Sequence, residues 1–195
     1  MNLLRLTFVL LFLPLAPAAA AADAPAATPI GLRIDRTRSF IDVDVNVTVG
    51  SFVAHLDKYD ARFVLDDTGK IKTGRFQFKF ADLKTGSEQR DAAMLKWLGG
   101  IGSEGVFQLG VLAIAPDGQG VANGNLTFHD ATQRIEFTVL VTQADGAYTV
   151  TGETSIDYTD WGLKVIRRMG LVKVDPRLHI RFKLVGEPDQ PSARH

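Results

Sequence analysis

Over residues 39–50 the chain alternates strictly, with Ile41, Val43, Val45, Val47 and Val49 apolar and Asp42, Asp44, Asn46 and Thr48 polar between them. A period of two over this length predicts a strand with one dry and one wet face. The same alternation recurs in Phe107, Leu109 and Val111, in Ala122, Gly124, Leu126 and Phe128, and in Ile135, Phe137, Val139 and Val141. It returns in Tyr148, Val150, Gly152, Thr154 and Ile156, and again in Leu178, Ile180, Phe182 and Leu184. Residues 32–35 and 62–65 read as short strands. In residues 71–80, Ile71 and Thr73 share one parity while Phe76, Phe78 and Phe80 share the other, which predicts a β-bulge near Gly74. Asp66-Asp67-Thr68-Gly69, Pro116-Asp117-Gly118, His129-Asp130-Ala131-Thr132 and Asp145-Gly146 are turn sequences. About eight strands joined by tight polar turns, without helical crossovers, make an antiparallel meander.

One stretch departs from this period. In residues 82–98, Met94, Leu95 and Leu98 fall at helical spacing, Thr85 and Ser87 are candidate caps, and Glu88 puts an acid in the first turn. The spacing predicts a single helix over 87–98. A lone helix among strands serves as a plug or lid across one end of a curled sheet, and Gly99, Gly100, Gly102 and Gly105 behind it would let it shift. Glycines within strands and the expected bulge favour a closed barrel over a sandwich, because closure needs sharp local bends. The expected fold is therefore all-β, an extended antiparallel barrel of about eight strands with one short helix near one end. Its interior is either filled or wide enough for one slender ligand, and periodicity does not choose between these.

The two ends of the chain read differently. Arg5, the apolar run 6–15 and the small-residue tract 16–22 form a signal-peptide pattern over 1–22, interrupted by Pro14 and Pro17 and shorter than the ~20 residues of a membrane span. We expect a cleaved leader, a flexible entry over 23–30, one barrel domain over 31–186, and a flexible tail over 187–195. No stable membrane insertion is expected. With 22 basic and 22 acidic residues the chain is neutral, which argues against nucleic acid as a partner. It contains no cysteine, so an exported form must rest on its core alone.

Candidate chemistry is sparse. His55, His129, His179 and His195 have no metal-ligand spacing. His129 and Asp130 are neighbours at a strand end, where side chains point apart, so a turn role is expected; His179 lies on the wet parity of its strand. Asp42 and Asp44 are spaced like a carboxylate pair, but they share their parity with Asn46 and Thr48 and read as a wet outer face. Arg90 and Asp91 read as loop-binding and capping residues. No nucleophile elbow, phosphate loop or dinucleotide fingerprint is present, so the sequence points to a protein without catalytic residues or a resident cofactor.

What remains is a large set of dry-parity aromatics. In a sandwich they would be core; around a barrel axis they would wall a tunnel, where each methylene buried is worth about 0.8 kcal/mol. The candidate lining comprises Val45 and Val47, then Phe76, Phe78 and Phe80, then Met94 and Leu95 of the helix, and then Phe107 and Leu109. It continues with Leu126 and Phe128, Phe137 and Val139, Ile156, Trp161 and Phe182.

Three blocks carry a family resemblance. Asp82-Leu83-Lys84-Thr85-Gly86 through Arg90-Asp91 to Met94-Leu95 resembles the helix motif of the YceI-like family. Gly124-Asn125-Leu126-Thr127-Phe128-His129 is similar to its Gly-x-Leu-Thr-x-His strand, and Ile156-Asp157-Tyr158-Thr159-Asp160-Trp161-Gly162-Leu163 to its strand and turn ending in Asp-(Phe/Trp)-Gly. The resemblance implies a lipocalin-like barrel that binds polyisoprenoid or similar long-chain amphipathic lipid, such as a quinone tail, in the bacterial periplasm. Arg38-Ser39 stand where the family usually has His-Ser, Ala54-His55-Leu56 where it has a Gly-x-Phe turn, and Ala61 where it has a glycine. The basic segment 164–173, with Arg167 and Arg168, is a candidate for holding a polar headgroup at a mouth. Two rival readings are an envelope partner protein with a filled barrel, for example of a membrane redox protein, and a hydrolase using Asp42, Asp44 or His129. A homodimer is compatible with any of them.

Overall fold

The computed structural model describes residues 30–100, 102–168 and 172–189. The leader at 1–22 and most of the entry and tail segments lie outside the described residues. Eight antiparallel strands form the barrel: β1 (Ile30–Ile34), β4 (Tyr59–Leu65), β5 (Ile71–Lys79), β7 (Glu104–Ile114), β8 (Gln119–Phe128), β9 (Ala131–Ala144), β10 (Ala147–Asp157) and β13 (Arg177–Pro188). The ring closes because β13 pairs back onto β1. β2 (Phe40–Asn46), β3 (Ser51–Leu56) and β6 (Leu83–Lys84) extend the wall. The length of β13 makes this possible: His179 to Lys183 pair with β2, and Gly186 to Pro188 pair with β1. The expected all-β barrel with a short helix is what the chain forms.

The helix α1 (Glu88–Trp97) is capped by Ser87, whose side chain accepts from the Arg90 amide. Thr85 is held just upstream. The Asp91 carboxylate accepts from the Thr85 amide at 3.0 Å and its hydroxyl at 2.6 Å, and Arg90 donates to the Thr85 carbonyl at 2.8 Å. These are the capping and loop-binding roles expected of Arg90 and Asp91. No α1 residue is fully buried; Leu98, the residue after its last turn, is. No described helix is long and apolar enough to cross a membrane.

Several boundaries differ from the sequence reading, each for a local reason. β2 stops at Asn46: Val47 makes an isolated bridge to Val174, and Val49, although in alternation, is 85% exposed in the turn before Gly50. β3 is a strand the periodicity does not flag, because Val53 on its outer face and Ala54 on its inner face blur the contrast. The expected bulge lies at Lys72, not Gly74, since Leu65 pairs with Ile71 and Val64 with Thr73. A second bulge at Gly110 turns Val111 outward, 55% exposed, although it follows Leu109 in unbroken alternation. β13 runs past residue 186, with Glu187 opposite Arg33 and Pro188 opposite Leu32. Pro188 is tolerated at this strand end, where its missing N–H interrupts no ladder interior.

Two-residue turns join β8 to β9 and β9 to β10. His129 and Asp130 have φ of 49° and 59°, and Asp145 and Gly146 have 52° and 77°, the positive values that match the twist of a tight hairpin. His129 is therefore a turn residue, as expected. The core gathers in three clusters. Leu56, Tyr59 and Leu184 pack against Phe76, Phe78 and Phe182. The other two lie at the barrel ends, Leu32, Leu65, Ile71 and Tyr148 at one and Leu98, Phe128, Tyr158, Trp161 and Leu163 beside α1 at the other.

Candidate ligand tunnel

Between the two end clusters the inner faces of the strands leave a cavity of about 230 Å³. Its lining runs from Leu32, Ile71 and Tyr148 at the turn end to Ile156 and Leu178 toward the helix end. Tyr148 and Thr154 are the lining side chains with polar groups, and the Tyr148 hydroxyl is already donated to the Gly69 carbonyl at 2.9 Å. A hydrophilic guest inside would lose its hydration with almost nothing to replace it, whereas a hydrocarbon loses nothing. Since a methylene occupies about the ~30 Å³ of a liquid water, the space as it stands holds roughly eight such groups.

The rings touch along the wall without filling the axis. One series runs Tyr59, Phe76, Phe78, Phe80, Phe128 and Trp161, with successive centroids 5.0, 5.9, 5.1, 5.6 and 4.5 Å apart. A second joins Phe107, Phe137 and Phe182 across the opposite strands at 5.7 Å per step. Tilted and edge-on contacts at these separations are the favoured aromatic geometries, so the wall stabilises itself.

Ten of the sixteen candidate lining residues face this space. They are Phe76, Phe78 and Phe80 following β5, Phe107 and Leu109 of β7, Leu126 of β8, Phe137 and Val139 of β9, Ile156 of β10, and Phe182 of β13. The other six lie beyond its helix-side end. Ile41 and Val43 of β2 reach the cavity, but Val45 is buried one step further along and Val47 bridges to Val174. Phe128 and Trp161 stack on each other at 4.5 Å as the plug, where Trp161 is 2% exposed and donates its indole N–H to the Leu126 carbonyl at 3.0 Å. Met94 packs on that plug and Leu95 is half-buried on α1. Lining residues absent from the sequence reading include Leu56, Phe63, Leu83 and Leu112. Phe63 was findable, since Ala61, Phe63 and Leu65 alternate with Asp60 and Arg62. Leu112 was not, because the Gly110 bulge alone turns it inward.

The polar candidates lie outside the hollow. On the outer wall Arg181 grips Asp44 with two hydrogen bonds of 2.8 and 3.0 Å, while Asp42 meets His55 Nδ1 at 2.7 Å. Those bonds and the Arg181 charge hold the Asp44 carboxyl below its usual range. His179 Nδ1 is 3.3 Å from Ser155 Oγ, and His129 Nδ1 is 3.1 Å from the Trp161 carbonyl. The basic segment forms β11 (Arg167–Arg168) and β12 (Val172–Lys173), an arm tied to the β2–β3 turn by Thr48 and Lys173.

A closed antiparallel barrel around an apolar hollow, stoppered beside one helix, defines the lipocalin-like class of architecture. Within that class the chain belongs to the YceI-like domain family, whose profile matches residues 32–186. Several solved structures share the fold. BcnA of Burkholderia cenocepacia superposes with a TM-score of 0.66 at 15% identity, over 78% of this chain and 99% of its own. A polyisoprenoid binding domain from Saccharophagus degradans, implicated in plant cell wall breakdown, gives 0.66 at 16% identity, over 83% and 99%. The YceI protein of Campylobacter jejuni gives 0.57 at 12% identity, over 74% and 88%. A search of curated proteins found no match.

Proposed function

We propose that this protein is a periplasmic carrier that binds an isoprenoid or similar long-chain amphipathic lipid by its tail, without catalysis. The apolar tunnel carries this reading: its lining offers a hydrocarbon a dry, continuous wall and offers a polar substrate no anchoring group. A relative of the same fold is described as a polyisoprenoid binding domain, and the signal-peptide pattern of residues 1–22 supports export. Loading is transfer of apolar chain out of water or membrane into the lumen. Release runs past α1, whose exit residues Gly99 and Gly100 hold φ of 93° and 130° that other residues resist. The headgroup stays outside the hollow, and a quinone is one lipid that fits this description.

Native extraction followed by lipid mass spectrometry tests the proposal, and repeated absence of any co-purifying or added isoprenoid overturns it. Substitution adds a second test. Phe78→Asp or Phe137→Asp places a charge in the hollow and abolishes binding, while Asp44→Ala, on the outer wall, leaves binding unchanged. Equal effects from all three would mean that the tunnel is not the binding site.

A further inference from the structure

Four of the rings that face the lumen share one arrangement: each lies over a glycine of an adjacent strand. Phe63 of β4 covers Gly74 of β5, Phe78 of β5 covers Gly105 of β7, Phe107 of β7 covers Gly124 of β8, and Phe182 of β13 covers Gly152 of β10. A Cβ at Gly74 would stand 2.6 Å from two atoms of the Phe63 ring, and one at Gly152 would stand 2.6 Å from the Phe182 ring. A Cβ at Gly124 would meet the Phe107 ring at 2.6 Å, and one at Gly105 would meet three atoms of Phe78. None of the four glycines has positive φ, so the backbone does not demand glycine there. Glycine within a strand is a net cost, and these four recur only where a ring needs somewhere to lie.

The geometry has a direct effect on the hollow. A phenylalanine standing on a β-carbon wall projects toward the barrel axis; one lying in the dent above a glycine takes up wall space and leaves the axis free. We propose that Gly74, Gly105, Gly124 and Gly152 set the bore of the tunnel and restrict it to a single slender hydrocarbon chain, excluding fused-ring molecules of the sterol type. The proposal deepens the carrier reading and rests on it for the ligand class, while the bore itself is measurable without any lipid. A fused-ring nucleus is wider than a single chain and cannot enter in part as a flexible chain can, and rings already pressed to the wall cannot retreat further to admit it.

The clean substitutions are Gly74→Ala and Gly105→Ala, whose closest contacts are ring atoms, unlike Gly124 and Gly152, which also abut neighbouring carbonyls. Xenon is the first probe, because dry apolar cavities take it up. Wild-type protein binds xenon in the lumen, measured by ¹²⁹Xe NMR and by crystals under xenon pressure. Each alanine variant, shown to be folded by near-ultraviolet circular dichroism, loses at least half of that occupancy. Adding Phe78→Leu to Gly105→Ala restores it. Geranylgeraniol and cholesterol are the second probes: wild type binds the first and not the second, Gly105→Ala weakens the first at least tenfold, and the double variant recovers to within threefold. Unchanged xenon occupancy in folded Gly74→Ala and Gly105→Ala, failure of Phe78→Leu to restore it, or equal binding of cholesterol by wild type overturns the proposal. Xenon behaviour as expected, with no geranylgeraniol binding to any form, would keep the bore assignment and overturn the carrier reading instead.

Discussion

Single residues in this barrel do their work according to which side of the wall they occupy. Asp44 and Arg181, paired across β2 and β13 on the outside, form a two-pronged ion pair that lowers the Asp44 pKa from its ordinary 3.8. Because the folded carboxyl titrates lower than the unfolded one, its stabilisation is fully present above the ordinary value and is lost as pH falls through the lowered one. NMR titration of Asp44 should show this depressed midpoint, and Arg181→Gln should return it toward the ordinary range; an unmoved midpoint would refute the assignment. On the inside, Trp161 loses a stacked ring partner and an indole hydrogen bond if truncated, so Trp161→Ala should cost about 3–5 kcal/mol in urea unfolding. Val49→Ala, at an exposed turn, should stay within about 0.5 kcal/mol.

At the scale of elements, alternation was the readable signal, and it was readable wherever one face stays dry and the other wet. β8, β9, β10 and most of β13 follow it closely, which is why their antiparallel hairpins and the inward parity of Phe137 and Phe182 could be anticipated, whereas the pairing of β2 with β13, outside the run from β1 to β4, could not. It fails where the chain changes phase without changing composition. Phe107, Leu109 and Val111 look like one continuous dry face, yet the extra residue at Gly110 separates the third from the other two. The helix was legible for a different reason, the spacing of Met94, Leu95 and Leu98 together with its caps. Asp91 satisfies both the amide and the hydroxyl of Thr85, which is only 8% exposed, so its removal leaves the buried amide without a partner and the hydroxyl with the longer 3.3 Å contacts to the Ser87 carbonyl and Arg90. Asp91→Ala should therefore cost about 1–3 kcal/mol and accelerate amide exchange over residues 88–97 more than in the barrel strands. Uniform acceleration across the protein would show that the Thr85 clasp stabilises the whole barrel and not the helix entry.

For the whole molecule, parity tells which residues point inward but not how far along the axis they sit, and this limited what could be read about the tunnel. Phe128 and Phe137 share the dry side of a hairpin, yet one belongs to the plug and the other to the lumen, a distinction set by the height at which Trp161 folds across the end. That height also fixes the length of chain the hollow can hold. Each methylene entering the lumen should add about 0.8 kcal/mol, roughly a fourfold gain in affinity, until the free volume is used. With about 230 Å³ available, a series of straight-chain alcohols titrated calorimetrically should gain affinity steadily up to roughly eight carbons in the lumen and then flatten. Further carbons would have to stay in water or displace Leu98 and Trp161, and dislodging that packed end costs more than a methylene returns. A slope that continues unbroken past sixteen carbons would mean that the plug opens readily. The hollow between the two end clusters would then be only the resting part of a longer channel.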